Sequence, residues 1–306
     1  MIVRLLKQPQ FLIGFLFIAS LILLSFIYPS LMDVQKESKF LYDENEVIVG
    51  VAPFSPKDMP PFGTDMNGKH LLYLVLEGAK YTILITLVIA FLRIFFALFF
   101  SLFHRKSKST FFDDIVQATL YIPTAILAYM FMVPLFVKDA TEPMGMMTLI
   151  MLQCLILVGI GVPPLVSTFS EEIRSILAKD YIVSTFSLGS KKPYVYYKHV
   201  LPELSSKLLL LFAQQAIQTL ILLAHLGVLA VFIGGSKTVM MGDIFNLTPA
   251  TISLSGEWAG IIGQSYQKLL TAPWIILVPL SFFAFTIFSI NLMIQGIQNS
   301  LESNKS

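Results

Sequence analysis

The chain has 306 residues, of which 56% are hydrophobic and only 13% are charged, and its mean hydropathy is +0.76. A soluble domain of this composition would aggregate, so the composition excludes an ordinary water-soluble protein. The net charge of +2 is too small for a nucleic-acid-binding surface, and no nucleic acid partner is expected. The single cysteine, Cys154, has no partner within the chain for a disulfide or a cysteine metal site, so we interpret it as a packing residue.

The apolar residues are gathered into blocks of about 20, the length at which an α-helix crosses the hydrocarbon core of a bilayer. Because the alternation of a β-barrel is absent, we predict an all-α polytopic membrane bundle of about six transmembrane helices. The predicted spans are 11–32, 81–103, 114–137, 144–167, 206–234 and 272–296. The first span has no small-residue cleavage site after its apolar stretch, so we expect it to be retained as an anchor.

Positive charge is concentrated in the segments that follow the second and fourth predicted spans. These basic residues are Arg105, Lys106, Lys108, Arg174, Lys179, Lys191, Lys192, Lys198 and Lys207. By the positive-inside rule both segments are cytoplasmic, and so are the two termini, 1–10 and 297–306. The opposite segments, 33–80 and 235–271, are then predicted to be extracellular.

Two ionisable side chains fall inside predicted spans. Arg93 stands near the middle of the second span, where a lipid-facing charge would be costly, so we expect it to lie against protein or water. It either faces a partner or a water-filled path, or is a structural arginine of the bundle. His225, in the fifth span, is interpreted as a hydrogen-bonded bundle residue more readily than as a ligand. Both are candidates for a translocation path.

The stretch Gly63–His70 nearly spells the phosphate-binding loop G-x-x-x-x-G-K-[ST]. Three features exclude a nucleotide site there: His70 replaces the hydroxyl that binds Mg²⁺, no apolar strand precedes the stretch, and the topology places it outside the cell. The histidines show no metal-binding spacing, and no Asp or Glu within a span suggests a proton relay. We therefore expect no cofactor on this chain.

The most unusual region is the stretch between the fourth and fifth predicted spans, within residues 168–205. It is too polar to span a membrane, and its apolar positions predict short amphipathic helical turns that are broken by Gly189 and by Pro193. A plain surface loop is one interpretation, although loops of this length usually have a function. The other is a compact knob that fits the groove of a soluble partner.

At these residues the sequence resembles the permease subunits of binding-protein-dependent ABC importers. Their cytoplasmic loop carries the pattern E-A-A-x-x-x-G, nine residues, I-x-L-P. Gly189, Leu201 and Pro202 stand at the family's spacing. Two positions depart from it, because Val183-Ser184-Thr185 replaces the glutamate and two alanines and His199 replaces the isoleucine.

The peptide-permease branch is similar over more of the chain. Its loop commonly reads D-Y-V-x-x-A-x-x-L-G-A-S and R-H-I-L-P-N, which Asp180–Ser190 and Lys198–Glu203 resemble. Phe62–Lys69 is similar to the F-G-T-D-x-x-G-R of the C-type subunit, and Gly256–Gly260 with Leu270–Trp274 resembles the segment before its last span. The chain is thus identified as similar to C-type permeases of oligopeptide, dipeptide and nickel importers.

This resemblance implies a type I ABC importer permease fold with a core over 81–296 and a coupling segment over 168–205. It implies two cytoplasmic ABC ATPases that carry ATP and Mg²⁺, a second (B-type) permease chain, an extracellular solute-binding protein, and a place among the lipids of a bacterial cell membrane. By resemblance, the residues that couple to the ATPase are Asp180, Tyr181, Ser184, Thr185, Leu188, Gly189, Ser190, His199, Leu201 and Pro202.

Two alternatives to a peptide permease stay open. Within transport, the solute would be nickel or another small molecule. In another class, the chain would be a membrane enzyme or scaffold that kept the fold and lost transport. Departures from the family pattern at Lys69-His70, at Arg93 and over the long segment 235–255 bear on the solute more than on the fold.

Overall fold

The computed structural model describes residues 5, 7–31, 39–42, 47–103, 121–243 and 246–302. In chain order its elements are α1 (Pro9–Leu31), β1 (Phe40–Tyr42), β2 (Ile48–Val51), α2 (Leu71–Phe103), α3 (Thr124–Thr141), α4 (Met146–Leu177), α5 (Asp180–Ser187), α6 (Lys192–Val195), α7 (Leu201–Val228), β3 (Ser236–Asp243), β4 (Asn246–Ser253), α8 (Trp258–Ser265) and α9 (Trp274–Glu302). A π-helical turn, Tyr196–Val200, joins α6 to α7, and a 3₁₀ turn, Tyr266–Lys268, follows α8.

The predicted helical membrane bundle is confirmed. Five helices in the described part of the chain, α1, α2, α4, α7 and α9, are long and apolar enough to cross a membrane. The sixth long helix, α3, overlaps the predicted span 114–137, of which residues 114–120 lie outside the described residues. Long apolar stretches favour helices here because a helix satisfies its own backbone hydrogen bonds in lipid.

Two helices are longer than the spans predicted within them. The second helix begins at Leu71, ten residues before the predicted span 81–103, and α4 continues ten residues beyond 167 to Leu177. At about 1.5 Å per residue, a helix as long as α2 extends well beyond a bilayer core of about 30 Å. Polar residues at the ends of α2 and α4 therefore mark the membrane surface but not the end of the helix.

Helix α7, which corresponds to the fifth predicted span, ends at Val228, before the predicted limit of 234. Ala230 has φ of 56°, and the N–H of Ala230 and of Val231 donate to the carbonyls of Gly227 and Leu226. This pair of bonds is a Schellman cap, which stops the helix although the sequence stays apolar through Ile233.

The long helices alternate in direction between two ends of the bundle. One end carries α5, α6 and the π-helical turn, which with their connections form residues 178–200, here called the knob. The other end carries the two β-hairpins and is called the hairpin end. The Cα of Gly296 in α9 packs closely against Phe11 in α1, and Asn299 donates to Gln10. Both described ends of the chain thus lie at the knob end, which agrees with termini on one side of the membrane.

Two hydrophobic clusters fill the bundle. The main cluster joins all six long helices with α8. A second group, the knob cluster, packs the knob against α2, α4 and α7, and its buried members are Ile94, Ala97, Leu165, Val166, Phe169, Ile173, Ile176, Ile182, Val195, Val200 and Leu204. The knob is therefore part of the packed fold and not a loose loop.

Within the described ranges, two short β-hairpins interrupt the helices. Strands β1 and β2 pair antiparallel, and β3 pairs with β4 from Ser236 opposite Ser253 to Asp243 opposite Asn246. The second hairpin lies in the segment 235–255 that looks longer than in the resembled family. The sequence prediction of an all-α chain missed both hairpins, although they leave the bundle architecture unchanged.

Candidate functional site

The tip of the knob is shaped by the end of α5. Ser190 N–H donates to the Thr185 carbonyl and Gly189 N–H donates to the Phe186 carbonyl, which together form a Schellman motif. Gly189 has φ of 88°, a conformation that strains any residue with a Cβ. A Cβ at Gly189 would meet nothing within 4 Å, so the glycine is needed here for backbone conformation and the space around it is open.

The inner face of α5 anchors the knob to the bundle. Ile182 is fully buried and packs in the knob cluster with Val195 and Val200 from the turns that follow. In the same cluster, Phe169 comes from α4 and Leu204 comes from the first turn of α7. A displacement of α5 would therefore also displace the residues of α4 and α7 that pack against it.

A polar cluster holds the start of α5 to the start of α7. The Glu203 carboxylate accepts hydrogen bonds from the Lys179 ammonium and, at 3.0 Å, from the Tyr181 hydroxyl. The Lys179 hydrogen bond is the largest cause that keeps the pKa of Glu203 below its usual value, and the same bond raises the pKa of Lys179. A second ion pair, between Lys207 and Glu172, joins α7 to α4 beside it.

His199 lies in the π-helical turn, at the position where the family pattern has isoleucine. Its ring makes edge-to-face contacts with Tyr181 and Tyr194, with ring centroids 5.9 Å and 6.5 Å away. Contacts of this geometry are favourable between aromatic rings. The contact with Tyr181 joins the end of the knob to α5.

The outer surface of the knob is apolar and exposed. Leu188, beside Gly189, is 87% exposed, and Val183, Tyr194 and Tyr197 are exposed as well. Side chains of this kind in a segment that also carries charged and hydroxyl groups indicate a protein contact surface.

The structure divides the ten predicted coupling residues into two groups. Asp180, Tyr181, Ser184, Leu188, Gly189 and Pro202 are exposed, and the remaining four, Thr185, Ser190, His199 and Leu201, are partly buried. The sequence prediction missed Lys179, Glu203 and the exposed Tyr197. Lys179 immediately precedes the first matched motif and Glu203 is the last residue of the second, but their contact depends on the fold that brings α5 beside α7.

Arg93 lies against protein, as predicted. Its side chain is 4% exposed, and Nε and Nη2 donate to the Leu157 carbonyl of α4 at 3.1 Å and 2.8 Å. Nη1 donates to Oε1 of Gln215 at 3.4 Å and to the Thr219 hydroxyl at 3.3 Å, both on α7. The three acceptors of these four hydrogen bonds are neutral, so the described residues give this charge hydrogen bonds but no carboxylate.

One face of α7 is polar although the helix is a candidate span. The exposed positions from its middle to its hairpin end are Gln214, Gln218, Ile221, His225 and Val228. On α2 the equivalent exposed positions are all apolar, namely Leu84, Val88, Phe91, Phe95, Phe99 and Phe100. The spacing of the α7 positions places them on one helix face, hereafter the polar face.

His225 belongs to this polar face and not to the bundle interior. The expected hydrogen bond from its imidazole to a bundle residue is not seen among the residues that the structure describes. The reason is rotational: Leu222, Leu223 and Leu226 point into the core, which turns His225 outward.

The other family-like motifs meet at the hairpin end. Trp274 Nε1 donates to the Thr64 carbonyl at 3.3 Å, and Trp258 Nε1 donates to the Val75 carbonyl at 2.7 Å. The Asp65 carboxylate accepts from the N–H of Asn67 and of Lys69, at 2.9 Å and 2.8 Å. Because a carboxylate already occupies these backbone donors, the stretch Gly63–His70 is a structural turn and not a phosphate-binding loop.

Comparison with solved structures finds a similar fold in the MetNI methionine ABC transporter, a structure of inward-facing conformations. The match has a TM-score of 0.51 and 16% sequence identity and covers 76% of this chain and 97% of that chain. No protein-family model matches the chain, and no curated protein matches it either. The similarity shows that the chain has the fold of an ABC importer permease.

Proposed function

We propose that this chain is a permease subunit of an ABC importer that forms half of a translocation path and couples it to ATPases bound at the knob. The observation that carries the proposal is the knob itself, a turn with exposed apolar side chains that is packed on the ends of α2, α4 and α7. Because the sequence predicts no nucleotide site on this chain, the energy for transport would come from a partner. ATP-driven closure of two ATPases would shift the bundle between inward-open and outward-open states.

The polar face of α7 supports the second part of the proposal. Side chains such as Gln214, Gln218 and His225 are unfavourable against acyl chains, so this face lines a water-filled path or meets a second permease chain. The apolar exposed face of α2 is suited to lipid. One chain therefore supplies one wall of the path, and Gln218 and His225 are its residues, with Arg93 behind them.

The solute we propose is a peptide. The support is the resemblance of Phe62–Lys69, Gly256–Gly260 and Leu270–Trp274 to C-type peptide permeases, together with the Trp274–Thr64 hydrogen bond that joins the first and last of these stretches at the hairpin end. An extracellular solute-binding protein would dock at this end. Nickel or another small solute is the rival within transport, and ligand carried by the cognate binding protein distinguishes them.

The decisive experiment targets Gly189 in the complete importer. Gly189→Ala introduces backbone strain of about 1–2 kcal/mol with little bulk, whereas Gly189→Trp adds a large side chain to a position that is open within the chain. If the ATPase groove receives the knob, the tryptophan variant loses uptake and ATPase copurification, while the alanine variant keeps most of both. Wild-type uptake and ATPase stimulation in Gly189→Trp would disprove coupling at the knob.

Copurification also addresses the enzyme or scaffold alternative. We expect a homogeneous preparation of the chain to contain an ATPase subunit with a Walker A motif and a second permease. A preparation that holds neither would favour a membrane protein that kept this fold without transport.

A further inference from the structure

Arg93 and the middle of α4 form an arrangement that the proposed function does not use. The sequence of α4 here is Gly159-Ile160-Gly161-Val162-Pro163-Pro164. Two consecutive prolines lack N–H donors, so the carbonyls one turn earlier lose their helical partners and the helix is weakened at this level. The stretch 159–164 is therefore the natural bending point of α4.

The two hydrophobic clusters of the bundle meet at this same level. On α4, Leu157 and Val158 belong to the main cluster, whereas Leu165 begins the knob cluster. On α2, Ala90 belongs to the main cluster and Ile94 to the knob cluster, with Arg93 between them. The part of α4 beyond the prolines is thus packed with the knob, and the part before them is packed with the rest of the bundle.

The guanidinium of Arg93 fits against α4 because Gly161 has no side chain. A Cβ at Gly161 would lie 2.6 Å from both Cδ and Cζ of Arg93, which is too close for any real contact. The neighbouring glycine of the same stretch, Gly159, differs completely, because a Cβ there meets nothing within 4 Å. Gly161 is therefore the residue that admits Arg93 to the Leu157 carbonyl.

The same guanidinium also holds α7. Besides its bonds to Leu157 it donates to Gln215 and Thr219, so one side chain of α2 links α4 and α7 just on the main-cluster side of the bending point. Gln215 in turn donates to Oε1 of Gln218, at 2.9 Å, on the polar face. In these contacts the Arg93 guanidinium donates to neutral acceptors in a water-poor interior. A buried donor left without an acceptor there would be costly.

We propose that Arg93 is a positioning residue that clamps the main-cluster part of α4 to α2 and α7, so that displacement of the knob bends α4 at 159–164. Without the clamp the main-cluster part of α4 is no longer held, so the bend at 159–164 takes a range of angles and the displacement of the knob is not passed on to the polar face. The transport consequence rests on the proposed function, whereas the bending of α4 does not.

The structural test measures α4 directly in the complete complex in lipid nanodiscs. Cys154 is replaced by alanine, and spin labels are placed at Met151, which is 68% exposed, and at Glu171, which is exposed on the far side of the prolines. Twenty residues of helix separate the labels by about 30 Å, a range suited to pulsed electron resonance. The compared chains are wild type, Arg93→Met, Gly161→Ala, Gly159→Ala and the double variant Arg93→Met with Gly161→Ala.

The clamp predicts one narrow distance distribution for wild type and for Gly159→Ala, and a broader or shifted one for Arg93→Met and for Gly161→Ala. The double variant matches Arg93→Met alone, because Gly161→Ala acts through the arginine. If Gly161→Ala is too unstable to purify, Arg93→Met still decides, since methionine keeps an unbranched side chain that reaches about as far as Nε without the donors. A wild-type distribution in Arg93→Met, or identical behaviour of Gly161→Ala and Gly159→Ala, overturns the proposal.

The transport readout is the amount of solute imported per ATP hydrolysed. We expect about a tenfold loss in Arg93→Met and in Gly161→Ala with ATPase activity retained, and no loss in Gly159→Ala. Equal import per ATP in all variants would contradict the clamp. A wild-type complex that neither imports nor binds ATPase would instead contradict the proposed function, while the distance measurements would still decide the role of Arg93.

Discussion

Glu257 shows how a single buried carboxyl organises the hairpin end. It is the N-cap of α8, and its carboxylate accepts from the N–H of Ala259 at 2.9 Å and of Ile233 at 3.4 Å. These bonds connect the loop after α7 to the start of α8. The residue is 1% exposed, and burial raises its pKa to about 7 because it outweighs the backbone donors, which act in the opposite direction.

This raised pKa makes a prediction about stability and pH. The folded protein holds the Glu257 proton more tightly than the unfolded chain, in which the pKa of this carboxyl is 4.5. The contribution of Glu257 to the free energy of unfolding is therefore highest below pH 4.5 and is lost as pH rises through about 7. The full loss corresponds to about 3 kcal/mol. Relative to wild type, Glu257→Gln should therefore gain thermal stability between pH 5 and pH 8 in detergent. If the difference in thermal stability between Glu257→Gln and wild type stays constant from pH 5 to pH 8, the assignment is contradicted.

Ala230 offers a second residue-scale prediction. It occupies the left-handed position of the cap after α7, where a glycine is unstrained and an L-residue is not. Ala230→Gly should raise the free energy of unfolding by about 1 kcal/mol. The matched control is Ala224→Gly inside α7, where the same change should lower it by about 1 kcal/mol. Thermal unfolding of both variants in detergent tests the pair, and equal signs would refute the reasoning.

At the scale of elements, the sequence predicts what periodicity and apolar length control, and misses what depends on tertiary contacts. Long apolar stretches predicted the helices well. The end of α7 was missed because alanine is an unusual residue for a left-handed cap. Strand β4 was missed because it contains Pro249, a residue that argues against a strand, although in the structure it pairs with Met240.

The contrast between α2 and α7 gives a prediction for helix faces. In a Cys154→Ala background, single cysteines at positions 214, 218 and 225 of α7 should react with a water-soluble thiol reagent in the assembled complex. Cysteines at the matched apolar positions 88, 91 and 95 of α2 should not react, because they face acyl chains. Equal reactivity of the two sets would show that the polar face does not line an aqueous path.

For the whole molecule, the alternation of helices and the common position of both described ends agree with the topology predicted from charge. What the sequence could not supply was the partner of Arg93. The cost of a charge in lipid predicted that the residue lies against protein, but its acceptors are a backbone carbonyl and two neutral side chains on other helices. Likewise, the coupling motif located the knob, whereas the contact of Lys179 with Glu203 required the fold.

The sidedness of the molecule remains a prediction with a direct measurement. Lys57 at the hairpin end and Ser187 at the knob are both exposed. As single cysteines in intact cells, the residue at 57 should react with a reagent that does not cross membranes, and the residue at 187 should react only after lysis. Reaction of both from the same side would refute the six-span arrangement.

The contacts of Arg93 also constrain how the protein is made. Its acceptors on α4 and α7 lie 64, 122 and 126 residues later in the chain. At ribosomal rates of about 5–20 residues per second, roughly 6–25 seconds pass between synthesis of Arg93 and synthesis of Thr219. For about the first half of that interval, until Leu157 is made, the charge has none of these acceptors, so we expect α2 to stay beside the insertion machinery or at a hydrated edge of the membrane. On this argument the second to fifth long helices enter the lipid as one late group and not one at a time.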